Sequence, residues 1–245
     1  MEEADDLVIL VDNDGNRTEE SVTELAIRRL LEDEKLRIVI QSVNQLPVSQ
    51  GFGMSGAGAL SSVVALSEAL GDSLSMEEQI QIAHAAEVES GTGLGDVYPE
   101  ALGGMDIRTS PGAPPFGEID KHSIEGELVL CVLGEEMRTM DVLQDEEKVQ
   151  RINRFGSECN ESIEQNPTLE RLFSLGKSFA VDTGLATEKM VEAIEECEAH
   201  GSAAMSMLGS SIFAFGDVGS LVRTLETFGP VTKCKVEDLG VRIIH

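Results

Sequence analysis

Pro47-Val-Ser-Gln-Gly51-Phe-Gly53-Met-Ser55-Gly56-Ala-Gly58 puts four glycines into eight residues, between a stretch that reads as a strand and one that reads as a helix. Residues 36–43 (LRIVIQSV) carry the strand signal, and residues 57–70 form an apolar helical run that Gly71-Asp72 breaks. Backbone at a helix N-terminus offers unpaired N–H groups and the positive end of the helix dipole. A glycine-rich approach to such an end reads as a phosphate cradle.

Three readings compete for this loop. Gly51, Gly53 and Gly56 satisfy G-x-G-x-x-G, which in a nicotinamide-dependent oxidoreductase would be followed by a helix, a second strand and an acidic residue about 20 positions on. A second helix follows here instead, opening at Ser75 with Glu78 placed to close a capping box. Gly51 and Gly56 have the separation of a Walker A loop, but Ala57-Gly58 stands where Lys-Ser/Thr is required. A glycine turn that merely lets strand and helix pack is the plain alternative.

Outward from the loop, residues 6–11 (DLVILV) read as a first strand, followed by a turn at residues 12–16 and a helix over about residues 19–32. Residues 91–117 hold seven glycines and four prolines, which predicts irregular structure able to carry function. A strand at residues 127–133 opens a second half. Helices over residues 145–165, 168–180 and 187–200 then lead to apolar runs at residues 210–215, 231–236 and 241–244. Helices on one side of a largely antiparallel sheet are the packing this order suggests.

Forty-five acidic against eighteen basic residues give a formal charge of −27, which repels a nucleic-acid backbone or an anionic membrane. The same excess suits a protein working in high salt, where self-repulsion is screened. No run of about 18 apolar residues and no signal-peptide pattern at MEEADD is found, so a cytoplasmic location is expected. Cys131, Cys159, Cys197 and Cys234 form no C-x-x-C pair and read as reduced, buried thiols, while His84, His122, His200 and His245 lack the i, i+4 spacing of a zinc helix.

The loop resembles the second signature of the GHMP kinases, P-x-x-x-G-L-G-S-S-A-A, with Pro47, Gly51 and Gly53 matched, Phe52 for Leu, and Met54-Ser55 in the Ser-Ser places. The wording G-F-G-M-S-G-A-G is similar to the archaeal pantoate kinases of that superfamily. The resemblance implies an α+β, two-layer GHMP fold: an N-terminal phosphate-loop domain over residues 1–122 and a C-terminal ferredoxin-like α/β sandwich domain over residues 123–245. It implies ATP and Mg²⁺, with Pro47, Gly51, Phe52, Gly53, Met54, Ser55, Gly56, Ala57 and Gly58 around the phosphates and Ser55 as a hydroxyl ligand of the metal.

A second constellation is Ala83-His84-Ala-Ala-Glu87-Val-Glu89-Ser-Gly91-Thr92-Gly93-Leu94-Gly95-Asp96-Val97, then Gly103-Gly104 and Arg108. Phosphoryl transfer needs a carboxylate for the metal, an oriented nucleophile and donors for the transferred charge. In mevalonate kinase and its kin a helix Glu precedes a loop Asp and a Gly-Gly pair. The resemblance therefore assigns Glu87 to Mg²⁺ and Asp96 to the attacking hydroxyl, with Glu89 as an alternative metal ligand. By residue type alone, Glu87 could equally be a solvated helix residue and Asp96 a turn residue. Arg108, whose guanidinium forks onto a carboxylate, is the candidate anchor of a hydroxy acid, with Thr92 and Gly93 beside it; a surface arginine is the alternative.

The third signature is reduced to Ser202-Ala-Ala-Met205-Ser206-Met207-Leu208-Gly209, with Gly209 its retained nucleotide-site glycine. The implied activity is ATP-dependent phosphorylation of pantoate to 4-phosphopantoate in coenzyme A biosynthesis. Other GHMP kinases of the mevalonate, homoserine or shikimate type, or a non-catalytic nucleotide-binding remnant, are the alternatives. The remnant reading arises because the family's opening segment, with its Pro-Gly-His motif, is not found before the first strand. Partners are then ATP and a small hydroxy acid, and a homodimer is compatible with the sequence.

Overall fold

The computed structural model describes residues 2–3, 8–13, 16–18, 21–31, 35–71, 74–93, 95–137 and 139–244. Expectations for residues 6–7, 14–15, 19–20, 32, 72, 94 and 245 lie outside these. The chain divides into two units. The first comprises Met1–Val48, Gly53–Asp120 and Asp238–His245, the second Ser49–Phe52 and Lys121–Glu237.

In the first unit, strands β1 (Glu2–Glu3), β2 (Val8–Asn13), β3 (Asn16–Thr18) and β4 (Leu36–Ser42) form a sheet in the order β1-β4-β2-β3. β2 and β4 run parallel, with Ile9 opposite Ile38. Parallel neighbours need a long crossover, which helix α1 (Val22–Leu31) supplies. Ile9, Val11 and Ile38 are buried in one cluster with Ala26 and Ile27 of α1, Leu60 and Val63 of α2 (Met54–Leu70) and Ile80 and Ala83 of α3 (Met76–Ser90). α2 is apolar on almost every side because other helices flank it, and a helix surrounded in this way needs no polar face.

α3 begins as the sequence predicts. Ser75 accepts from the Glu78 amide, and the Glu78 carboxylate accepts from the Ser75 amide, so both orphan donors are satisfied. The glycine-rich stretch after α3 departs from its expected irregularity. It holds helix α4 (Val97–Leu102) and strand β5 (Met105–Ser110), which pairs with β6 (Glu118–His122). Pro99 sits in the first turn of α4, where a missing N–H removes no helical hydrogen bond.

In the second unit, β7 (Glu127–Val132) lies inside a four-stranded antiparallel sheet of order β10-β7-β9-β8. Helices α5 (Thr139–Leu143), α6 (Glu146–Gln165), α7 (Leu169–Thr183) and α8 (Glu188–Cys197) separate β7 from β8 (Gly201–Met205) and β9 (Ser211–Gly216); α9 (Val218–Leu225) precedes β10 (Val231–Lys235). Val129, Cys131, Ile212 and Ala214 of the sheet share a core with Met190 and Ile194 of α8 and Leu221 and Leu225 of α9. The thiols are free. Cys131 and Cys197 are buried, but Cys159 and Cys234 are only half-buried, so the expectation of four buried thiols is met by two.

The expected last strand, residues 241–244, does not form. That tail belongs to the first unit, where the Val241 amide donates to the Glu100 carbonyl at 3.1 Å and Val241 and Ile243 pack on the core. Alternating apolar residues fit a strand, but here they serve a single extended segment laid against a helix.

Candidate active site

After β4 the chain crosses into the second unit for four residues and returns at Gly53. Two of the four are held through their carbonyls. The Ser211 hydroxyl, fully buried, donates to the Gln50 carbonyl at 2.5 Å, and the Met137 amide donates to the Ser49 carbonyl at 3.2 Å. A Cβ at Gly51 would lie 3.1 Å from the Gly209 nitrogen, and one on Gly209 would overlap the Gln50 carbonyl. The glycines of the second and third signatures thus meet back to back. This is a close approach that only a missing side chain permits.

α2 starts at Met54, three residues earlier than the apolar pattern predicts, so Ser55, Gly56, Ala57 and Gly58 are helical. Its N-cap, Gly53, takes a left-handed conformation with φ of 68° and offers no capping side chain. Ala57 makes the first helical hydrogen bond, back to the Gly53 carbonyl at 3.0 Å. The amides before it have no partner within the helix and lie at the positive end of a 17-residue dipole, which suits an anion. Gly58 faces α1, where a Cβ would sit 3.2 Å from the Thr23 hydroxyl, and Pro47 is exposed.

Against the first turn of α2 stand two carboxyl groups. A Cβ on Gly56 would lie 2.9 Å from Glu100 Oε2 and 3.2 Å from Glu87 Oε1. Glu87, in the last turn of α3, is 1% exposed, and neither of its carboxylate oxygens has a hydrogen-bond partner among the described residues. Glu89 faces elsewhere: it is exposed and paired with Arg29 of α1. Of the two glutamates, Glu87 is the one that lies against the start of α2. Gly93 is buried directly against the Glu87 carboxyl, while Thr92 is exposed and shares a 2.9 Å hydrogen bond with Ser90.

Asp96 occupies the N-cap position of α4, yet its side chain makes no capping bond. Its carboxylate stays open to solvent although protein crowds around it, and that crowding pushes its pKa above the usual range against the pull of Arg108. Arg108, on β5, donates to the Gly95 carbonyl. Asp106 is likewise raised by burial, with Arg108 opposing. His84, one turn before Glu87 on α3, has a buried Nδ1 without a partner among the described residues. Burial, then the charge of Arg108, holds its pKa below the usual imidazole range.

The strongest shifts belong to the two buried glutamates. Burial first, then the charge of Asp96, raises Glu87 to about 7; Arg108 and the amides of Gly95 and Asp96 pull the other way without making well-formed hydrogen bonds to it. Glu100 is raised to about 9 by burial, then by Asp96 and Glu87. Glu100 was missed from the sequence. Its signal was there, since it lies four residues after Asp96 and a helix brings such positions onto one face.

Buried carboxylate oxygens without donors fit a hard cation. Among the described residues no three His, Cys, Asp or Glu side chains converge as a metal cage. Mg²⁺ seldom uses one, taking one or two carboxylates and leaving the remaining positions to water and substrate phosphates, so the residues present suit it.

Residues 20–104 match the family described as GHMP kinases N terminal domain. The chain is 32% identical to a pantoate kinase of Methanocaldococcus jannaschii over 196 residues, 79% of this chain and 70% of the relative. It is 31% identical to a pantoate kinase of Methanospirillum hungatei over 245 residues, 98% of this chain and 81% of the relative. A solved structure titled "Phosphotransferase related to CoA biosynthesis pathway" superposes with a TM-score of 0.84 at 26% identity, covering 97% of this chain and 81% of that one.

Proposed function

The chain belongs to the GHMP kinase family, among its pantoate kinases, and from that premise we propose that it transfers the γ-phosphoryl group of ATP to the 4-hydroxyl of pantoate, a step of coenzyme A biosynthesis. The observation that carries the chemistry is the convergence of Glu87, Asp96 and Arg108 within one unit, with Glu87 against the uncapped start of α2. The hydroxyl oxygen forms a bond to the γ-phosphorus, the bond to the β–γ bridging oxygen breaks, ADP leaves with that electron pair, and Asp96 takes the hydroxyl proton. A carboxylate raised by crowding is a better base than an ordinary aspartate, and Asp96 is not engaged in capping.

The amides of Met54, Ser55 and Gly56, which have no partner within the helix, would donate to phosphate oxygens, in place of the lysine that the loop lacks. Glu87 and the Ser55 hydroxyl would hold Mg²⁺, which when bound offsets the phosphate charge. We assign Arg108, whose planar guanidinium suits a carboxylate, to the carboxylate of pantoate, with Thr92 and Gly93 alongside. Gly209 keeps the second signature's main chain in place through Gln50 and Gly51 and belongs to the nucleotide site in this reading. No helix of the described residues is long and apolar enough to cross a membrane, and a cytoplasmic enzyme is part of the proposal.

ADP release measured with ATP, Mg²⁺ and a panel of pantoate, mevalonate, homoserine and shikimate tests it. Turnover is expected with pantoate alone. Turnover with any other member and none with pantoate overturns the substrate while leaving the kinase.

A further inference from the structure

We propose that Glu100 is a second carboxylate ligand beside Glu87, making a cation site that the protein fills before any nucleotide arrives. The inference deepens the kinase reading and rests on it for the role of Glu87. Two side chains carry it. Glu87 is almost completely buried with both oxygens unpartnered among the described residues, and Glu100 Oε2 is buried and unpartnered there as well. Both look onto the same point of α2, 3.2 Å and 2.9 Å from where a Cβ on Gly56 would be, and a Cβ on Gly53 would overlap the other Glu100 oxygen. The glycines leave room for carboxylates pressed against the helix start.

The placement of Glu100 is fixed through its own peptide. Its amide donates to the Asp96 carbonyl at 3.1 Å and its carbonyl accepts from the Val241 amide at 3.1 Å, so the chain is held on both sides. The charges that act on its carboxyl are those of Asp96 and Glu87, both of the same sign as its own. Two like-charged carboxyl groups facing one point without a donor call for a cation between them, and hard oxygen donors select a magnesium-type ion. One glutamate alone would leave the metal to be carried in by ATP; two give the empty protein an affinity of its own.

Mn²⁺ binding to the protein without ATP or pantoate, read from the loss of the free-ion electron paramagnetic resonance signal, tests this. Glu100→Gln should weaken binding about ten-fold or more and Glu87→Gln at least as much, whereas Glu89→Gln should bind as the wild type does. Equal Mn²⁺ binding by wild type and Glu100→Gln overturns the proposal. No binding by the wild type overturns it too, and then the pair is better described as sharing a proton. If Glu100→Gln fails to fold by circular dichroism, Glu100→Asp, which keeps the acid but withdraws it by one methylene, decides in the same way. Because the assay contains neither substrate, a failed pantoate reaction with normal Mn²⁺ binding would count against the substrate and not against this site.

Discussion

Helix α6 and the junction of α3 with α4 are both rich in acid, and they use it in opposite ways. On α6, Glu146, Glu147, Glu158, Glu161 and Glu164 lie in solvent, and Asp145 caps the helix by accepting from the Lys148 amide, which lowers its pKa. At the junction, Glu87 and the Oε2 of half-buried Glu100 are withdrawn from water without a hydrogen-bond partner among the described residues, and their pKa values are pushed to about 7 and about 9. A solvated carboxylate adds charge at little cost, but a buried one without donors persists only where something else offsets it. Thus the formal charge of −27 conceals two populations: a diffuse surface excess and a small desolvated group built for ligands.

The sharpest break between the two is expected from Asp96→Asn, which keeps the size and removes the basic oxygen. It should lower kcat by about 10²- to 10⁴-fold with the melting temperature near that of wild type. The same exchange at exposed Glu161 (to Gln) should leave kcat within two-fold by about the accuracy of such assays. An Asp96→Asn enzyme that keeps more than about a third of the wild-type kcat would return Asp96 to the role of a turn residue.

How much of this was legible in the sequence follows from the range of the forces involved. The Ser75–Glu78 box could be read because a capping box is written within four residues. Helix α4 could not, since its six residues sit among glycines and prolines and its hydrophobic support comes from Val97 and Ala101, buried only in the assembled unit. With α4 missed, the i, i+4 relation of Asp96 and Glu100 had no meaning. Glu87 and Glu89 are interchangeable by composition, and only the position of Arg29, some 60 residues away, draws Glu89 outward. Residues 241–244 mislead for the converse reason: a pattern that is correct for extended chain does not say whether a neighbouring strand exists to pair with it.

The second test is pH, with nucleotide and divalent metal removed. Glu87 and Glu100 both have folded pKa values above the ordinary glutamate value of 4.5, so the folded state holds their protons more tightly than the unfolded chain does. Their contribution to stability is fully present below pH 4.5 and is lost as pH rises towards about 7 for Glu87 and about 9 for Glu100. The melting temperature of the wild type should therefore fall between about pH 6 and pH 9, by about 5 °C. Glu100→Gln should flatten the upper part of that slope, because an amide does not titrate. Parallel slopes for the two proteins would mean that Glu100 ionises as freely as the acids of α6.

The smallest expected effect comes from salt, and it separates the two populations most cleanly. At about 0.1 M ionic strength the screening length is about 10 Å, long enough for neighbouring carboxylates on α6 to repel one another, whereas beyond 1 M it is below about 3 Å. Exposed charges with this excess of one sign should be relieved, so raising KCl from about 0.1 M to about 2 M should raise the melting temperature by about 2–4 °C, near 1 kcal/mol for a chain of this size. Salt also strengthens apolar burial, so a sulfate series at matched ionic strength is needed to subtract that part. Glu87 and Glu100 are raised chiefly by desolvation, and diffuse screening by KCl does not replace the solvation they lost. The difference in pH slope between wild type and Glu100→Gln should accordingly survive in 2 M KCl even as the absolute melting temperature rises. A slope difference that disappears in salt would place Glu100 with the surface acids, and a melting temperature that stays level or falls in KCl would remove the salt-adapted interpretation of the charge.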